Sequence, residues 1–195
     1  MKSVNRIATA LLPFLLFGLT LTGCSSDSDG VVTSNTGELT VEIHDHASPE
    51  IVECWVTIDD VQARRSQGEW VHLGGDYPHH FDLAQLQNGK TRVLGTDSVA
   101  ADDYSHVRIH MTAARLVMAD GSEVDVPMPA GGHAIDVPMG QRCEVAGGSG
   151  AHVSIDFRIP TSFQHHADES WSCDPDIIVD GVWGHGQQEH GHHHD

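Results

Sequence analysis

Basic side chains are scarce. Ten Lys and Arg stand against 28 Asp and Glu, a formal net charge of −18 with His neutral. A surface of that sign repels nucleic acid and anionic lipid headgroups and attracts cations, so nucleic acid is excluded as a partner. Cysteine is sparse too, at four residues, and no Cys-x-x-Cys occurs. Redox and zinc-ribbon signatures are therefore missing. No Gly-x-Ser-x-Gly elbow, His-Glu-x-x-His pair, phosphate-binding loop or dinucleotide-binding glycine pattern is present. The Gly147-Gly148-Ser149-Gly150 run precedes no helix-like segment and reads as a loop. Ser, His and Asp are plentiful, but nothing selects a triad. No catalytic residue is assigned, and a non-enzyme is expected.

The N-terminus carries the clearest signal. Lys2 and Arg6 precede an apolar run from Ile7 to Leu21, broken by Pro13 and short against the ~20 residues a bilayer span needs. With the small residues that follow, it has the parts of a secretory signal over residues 1–23. The stretch Leu21-Thr22-Gly23-Cys24 resembles the bacterial lipobox, in which the cysteine takes acyl chains (palmitate among them) and becomes the new N-terminus. An ordinary cleaved signal would instead leave Cys24 a plain thiol. Several chains on one residue anchor stably where one does not. Residues 24–36, rich in Ser and Asp, read as a tether unable to bury enough apolar surface to fold. Ser25 after the cysteine implies outer-membrane sorting if the bacterium is Gram-negative. Cleavage would leave 8 basic and 28 acidic residues, with Lys90 the only lysine.

The other end is low in complexity. Residues 184–195 read GHGQQEHGHHHD, a disordered His-rich tail by composition. Sixteen histidines in 195 residues invite a metal reading, because neutral imidazole ligates zinc, copper and nickel. His44 and His46 fall on one face of a strand, about 6.6 Å apart at ~3.3 Å per residue, and can converge on one ion. His106 and His110 stand roughly 13 Å apart and cannot. The tail cluster His185, His190, His192, His193 and His194 can wrap an ion, at an ordering cost that weakens it. The metal candidates are these two groups. No cofactor is required by any motif. Asp59-Asp60, Asp102-Asp103 and Asp174-x-Asp176 lack the ligand order of an EF-hand.

Between the ends, residues 37–183 make one domain of alternating extended segments. Leu39–His44, Val52–Ile58 (running on toward Val61), Glu69–Leu73, Phe81–Leu83, Thr91–Val99 and Val107–Met111 each set apolar residues on one face. Arg115–Met118 follows a bend, and Asp120-Gly121 turns into Glu123–Val126. The Gly- and Pro-rich stretch 127–150 holds at most short strands near 134–137 and 142–145. Val153, Ile155, Phe157 and Ile159 form the cleanest stripe, and Ile177–Val182 closes the chain. Eight to ten short strands predict an antiparallel β-sandwich. Val41, Ile43, Val56, Val107, Ile109, Ile155 and Phe157 are its expected centre. Cys54, alternating with Val52, Val56 and Ile58, should be a small buried hydrophobe. Cys143 and Cys173 sit beside loop-like sequence and are expected to pair in an exported, oxidising compartment.

The ordered set of pieces resembles the domain-of-unknown-function 4382 family of bacterial lipoproteins. The pieces are LTVEIHDHASPE, the long strand Cys54-Trp55-Val56-Thr57-Ile58-Asp59-Asp60-Val61, the Trp70 hairpin, the Phe81–Gly89 segment, Tyr104-Ser105-His106-Val107-Arg108-Ile109 and Ile155-Asp156-Phe157. The chain departs from the pattern at Cys54, where valine is usual, and at Asp102-Asp103, where glycine is common before the tyrosine. The resemblance implies an Ig-like or transthyretin-like sandwich on a lipid anchor, with no activity and no catalytic residues to carry over. The expectation is a membrane-anchored envelope lipoprotein acting as a binding or structural module, its protein or glycan partner open, or else an envelope binder of zinc, copper or nickel.

Overall fold

In the computed structural model, residues 35–46 and 48–184 are described. The expected signal peptide, Cys24, the tether up to residue 34 and the tail from His185 lie outside them. Twelve strands make up nearly all the structure: β1 (Thr36–Asp45), β2 (Ile51–Arg65), β3 (Trp70–His72), β4 (His79–Asp82), β5 (Arg92–Ala100), β6 (Asp102–Met118), β7 (Glu123–Val126), β8 (His133–Val145), β9 (Gly150–Phe157), β10 (Phe163–His165), β11 (Trp171–Cys173) and β12 (Ile177–Gly184). A 3₁₀ turn at Leu83–Gln85 and α1 (Ile159–Ser162) are the helical pieces among the described residues. β1 starts one residue before the expected domain edge, and β12 ends one residue past it.

The strands form two main sheets and a hairpin. The smaller sheet has the order β12-β9-β1-β5. The larger is built on β2 and β6, with β3 and β4 along the outer side of β2 and β7 and β8 along β6. β10 and β11 pair separately. The pairing is antiparallel as expected except between β1 and β9, which run parallel with Ile43 beside Ile155 and His44 beside Asp156. Parallel neighbours need a long crossover, and here the whole larger sheet supplies it.

Inward residues of both sheets share one core. Val41, Ile43, Val56, Val107, Ile109, Ile155 and Phe157 are all buried in it, as is Cys54. Val52 is not: a register shift between Ile51 and Glu53 inserts it as an extra residue and leaves it 48% exposed. Tyr104 is buried, and its hydroxyl donates to the Ala100 carbonyl at 3.0 Å, tying the base of β6 to the strand before it. The Asp120-Gly121 turn forms as read, with Gly121 at φ +84°. Gly37 is required for space, because a Cβ there would lie 2.4 Å from the Ala146 carbonyl oxygen.

Three readings need correction. The stretch expected to hold at most one or two short strands is one long strand, β8, whose two arms are joined across a register shift opposite Tyr104–His106, with Gly140 at φ +66°. The apolar stripe of β9 stops at Phe157; Ile159 continues the burial from α1. Cys143 and Cys173 are free and buried. Cys143 pairs beside Tyr104 at the start of β6, whereas Cys173 lies near Cys54, which pairs with Leu116 close to the end of β6. The length of the sandwich separates them, and a bridge between Cα atoms more than ~7 Å apart cannot close.

The register gives the sandwich two poles. At one, Thr36 pairs with Ala100, Gly184 with Ala151 and Asp102 with Val145, so both ends of the described chain leave together. At the other lie the end of β1, the 46–50 loop, the β6–β7 turn, α1 and the β10–β11 hairpin.

Two core substitutions separate face from bulge. Ile43→Ala should cost about 3 kcal/mol in urea unfolding, from lost burial plus a cavity. Val52→Ala should change stability by less than about 0.5 kcal/mol.

Candidate functional site

His44 and His46 come together on one carboxylate. Parallel pairing puts Asp156 of β9 beside His44 of β1. His46 Nδ1 lies 3.0 Å from Asp156 Oδ2, and His44 Nδ1 lies 3.9 Å from Asp156 Oδ1. On the other side, His44 Nε2 meets Asp180 Oδ2 at 2.7 Å. Asp180 reaches it from a bulge in β12 between Val179 and Gly181. Arg158 Nε stands 3.9 Å from Asp156 Oδ2 and binds Asp176 through its other end. Asp156 is only 3% exposed, and its Oδ1 has no hydrogen-bond partner. Burial pushes the Asp180 carboxyl up, but the hydrogen bond and charge of His44 and a hydrogen bond from Ser154 outweigh it, and the group sits below the usual carboxylate range.

Asp45 points the opposite way, into the protein, as strand alternation requires. It is 5% exposed and receives the Ile159 backbone N–H at 3.3 Å and the Gln87 amide at 3.4 Å. Burial raises its pKa to about 7, the Asp156 charge adds to this, and the two hydrogen bonds offset only part.

The expected metal set is thus split. His44 and His46 are adjacent and share Asp156, yet no group of three or more His, Cys, Asp or Glu among the described residues is arranged to hold a metal ion. The tail histidines lie outside the described residues. Elsewhere, imidazoles are taken up by rings and carboxylates: His80 stacks on Trp55 at 5.3 Å, His152 on Trp183 at 5.7 Å, and His72 meets Asp60 at 2.9 Å. His110 pairs with Asp59. Among the described residues, burial pushes the Cys143 and Cys173 thiols up to about 12 and Cys54 higher still, which disfavours their thiolate forms.

Sequence reading missed the groove at the pole away from the chain ends. There β10 and β11 pair His165 with Trp171, the two rings stacking at 4.9 Å and 25°. Two adjoining hollows of about 420 and 320 Å³ share Pro49, Glu50, His165 and Trp171. Met118 and Asp120 extend the first; Pro160 and Phe163 floor the second. The Asp168-Glu169-Ser170 turn, with Asp168 Oδ1 accepting from the Ser170 hydroxyl at 2.6 Å, is the signal that could have revealed the hairpin. A further concavity of about 390 Å³ on the larger sheet is walled by Trp55, His80 and Arg115. Arg108 packs 4.0 Å over the Trp70 ring while its Nε and Nη2 donate to the Asp136 carboxylate.

The Asp45 environment sets a pH dependence. The fold binds this proton more tightly than the unfolded chain, whose carboxyl titrates near 3.8. Its contribution is full below pH 4 and is lost as pH rises toward 7. Asp45→Asn keeps the neutral shape, so it should match the parent near pH 4 and exceed it above pH 7 by on the order of 4 kcal/mol, read by denaturant titration at both pH values.

No curated protein and no solved structure matches the chain significantly. No helix among the described residues is long and apolar enough to cross a membrane. The family model described as "Domain of unknown function (DUF4382)" matches residues 36–175, from the first residue of β1 past the β10–β11 hairpin, and the chain belongs to that family.

Proposed function

We propose that this protein is a lipid-anchored envelope lipoprotein whose β-sandwich is a non-catalytic binding module. The observation that carries the reading is polar placement. Thr36 and Gly184 leave at one pole, and the groove beside Trp171 lies at the other. With a signal peptide over residues 1–23 and acylation at Cys24, the tether enters at the anchored pole and the groove faces away from lipid. The buried thiols and the want of catalytic motifs support binding over turnover. The net charge of −18 opposes direct adhesion of the domain to anionic headgroups, so the acyl chains have to supply the attachment.

A second reading, metal buffering, rests on sequence chemistry. His185, His190, His192, His193 and His194 offer imidazoles for zinc, copper or nickel, and the convergence of His44 and His46 on Asp156 adds a further pair of donors.

Two measurements bear on these readings. Cys24→Ser should move the protein from the membrane to the soluble fraction; retention on membranes contradicts the anchor. Calorimetry with zinc, copper and nickel should lose its transition-metal heat when residues 185–195 are deleted. Unchanged stoichiometry and affinity removes the tail from the metal reading.

A further inference from the structure

We propose, on the strength of that binding-module reading, that the groove beside Trp171 docks an extended polypeptide segment carrying Lys or Arg next to an apolar side chain. Three features of the groove select this occupant.

The first is charge. Glu50 and Asp120 are the carboxylates at its rim, and no Lys or Arg lines either hollow. Asp120 is held ionised: its carboxylate accepts from the Ser122 hydroxyl at 2.7 Å and the Ser122 backbone N–H at 2.9 Å, and its pKa lies below the usual carboxylate range. An anionic partner would meet these carboxylates unpaired, whereas a cationic one complements them. The contrast with the concavity at Trp55 is direct, because Arg115 sits in that wall, paired with Glu123.

The second is the apolar lining. Pro49, Met118 and the stacked His165–Trp171 pair give flat, rigid contact area, and Phe163 closes the floor of the second hollow. Aromatic rings of this kind bury much area at small entropic cost, and methionine adapts its shape to what it meets.

The third is shape. Two hollows of about 420 and 320 Å³ lie side by side and share four lining residues. Successive side chains of one extended segment fill such a pair, the cationic one against Glu50 and Asp120 and the apolar one against Trp171. Val124, at the edge of the first hollow, belongs to β7, which is an edge strand of the larger sheet. Backbone groups along an edge suit an extended chain better than a free small cation.

The test uses two acetylated, amidated octapeptides, one alternating Arg and Leu and the other alternating Glu and Leu. Binding is followed by shifts of the Trp171 indole and Asp120 amide resonances. It is read on acylated full-length protein in phosphatidylcholine nanodiscs and on the Cys24→Ser protein, so failure of the anchor leaves this result interpretable. The Arg peptide should shift groove resonances and bind at least about tenfold tighter than the Glu peptide. Glu50→Gln with Asp120→Asn should weaken it about fivefold or more, while Glu38→Gln with Glu144→Gln, at the opposite pole, should leave it unchanged. Equal affinity for the two peptides overturns the proposal. So do equal losses in both charge variants, which would make the effect one of net charge, and shifts that map away from the groove. If raising the protein concentration alone shifts the groove resonances, a second copy of the chain occupies the site and the proposal fails.

Discussion

β2 and β6 run antiparallel from Ile51 beside Met118 to Arg65 beside Tyr104, and the rest of the larger sheet hangs on that pair. β3 and β4 find their hydrogen bonds on the free side of β2, and β7 and β8 find theirs on the free side of β6. The inward residues Cys54, Val56, Ile58, Val61, Val107, Ile109, Met111 and Leu116 form the floor on which the smaller sheet packs. Strands this long carry right-handed twist. The register shifts near Thr57, Ile58 and Asp60 divide the pair into shorter regular stretches while Ile58 and Val61 stay inward.

The smaller sheet is held by a different device at its far end. There β1, β9 and β12 lie side by side, and a row of polar groups runs from Asp180 to His44, from His44 to Asp156 and from Asp156 to His46. Asp156 is the hub. It is nearly fully buried, and the His44 and His46 rings and the Arg158 guanidinium gather around it. Directly behind it, Asp45 answers the same burial in the other way, by holding its proton near neutral pH. Two carboxylates on neighbouring strands thus meet one constraint by pairing and by protonation.

Much of the fold was legible because strand alternation is a local property. Val41, Ile43, Val107, Ile155 and Phe157 declared their faces by spacing, and Asp120-Gly121 declared its turn. The misreadings fall where local pattern and tertiary contact part. Val52 has the right spacing for the core, but a bulge turns it out. Gly and Pro suggested a broken β8, yet pairing with β6 carries the strand across Gly140. The expected Cys143–Cys173 bridge came from proximity to loops, and only the register shows that the two thiols sit near opposite ends of β6. His44 and His46 were legible as a same-face pair. Asp156 and Asp180, far along the chain, were not, because parallel pairing and a bulge bring them in. The family motifs acquire physical content in the same way: Tyr104 locks a strand base, Arg108 joins Trp70 to Asp136, and Asp156 gathers the imidazoles.

The functional account follows from where the chain ends emerge. Gly37 packs against the 146–149 turn and Ala101 donates to the Asn35 carbonyl, so the start of the domain is pinned at the pole where β12 also finishes. On the proposed lipid anchor, attachment at that pole would favour the Trp171 groove facing outward. Paramagnetic broadening by nitroxide-labelled lipid, measured on the acylated protein in bilayer nanodiscs, reads this orientation directly. The account predicts strong broadening at the Ala101 and Gly148 amides and little at Gly121 and Ser170. Stronger broadening at Gly121 and Ser170 would place the groove against the lipid and contradict it.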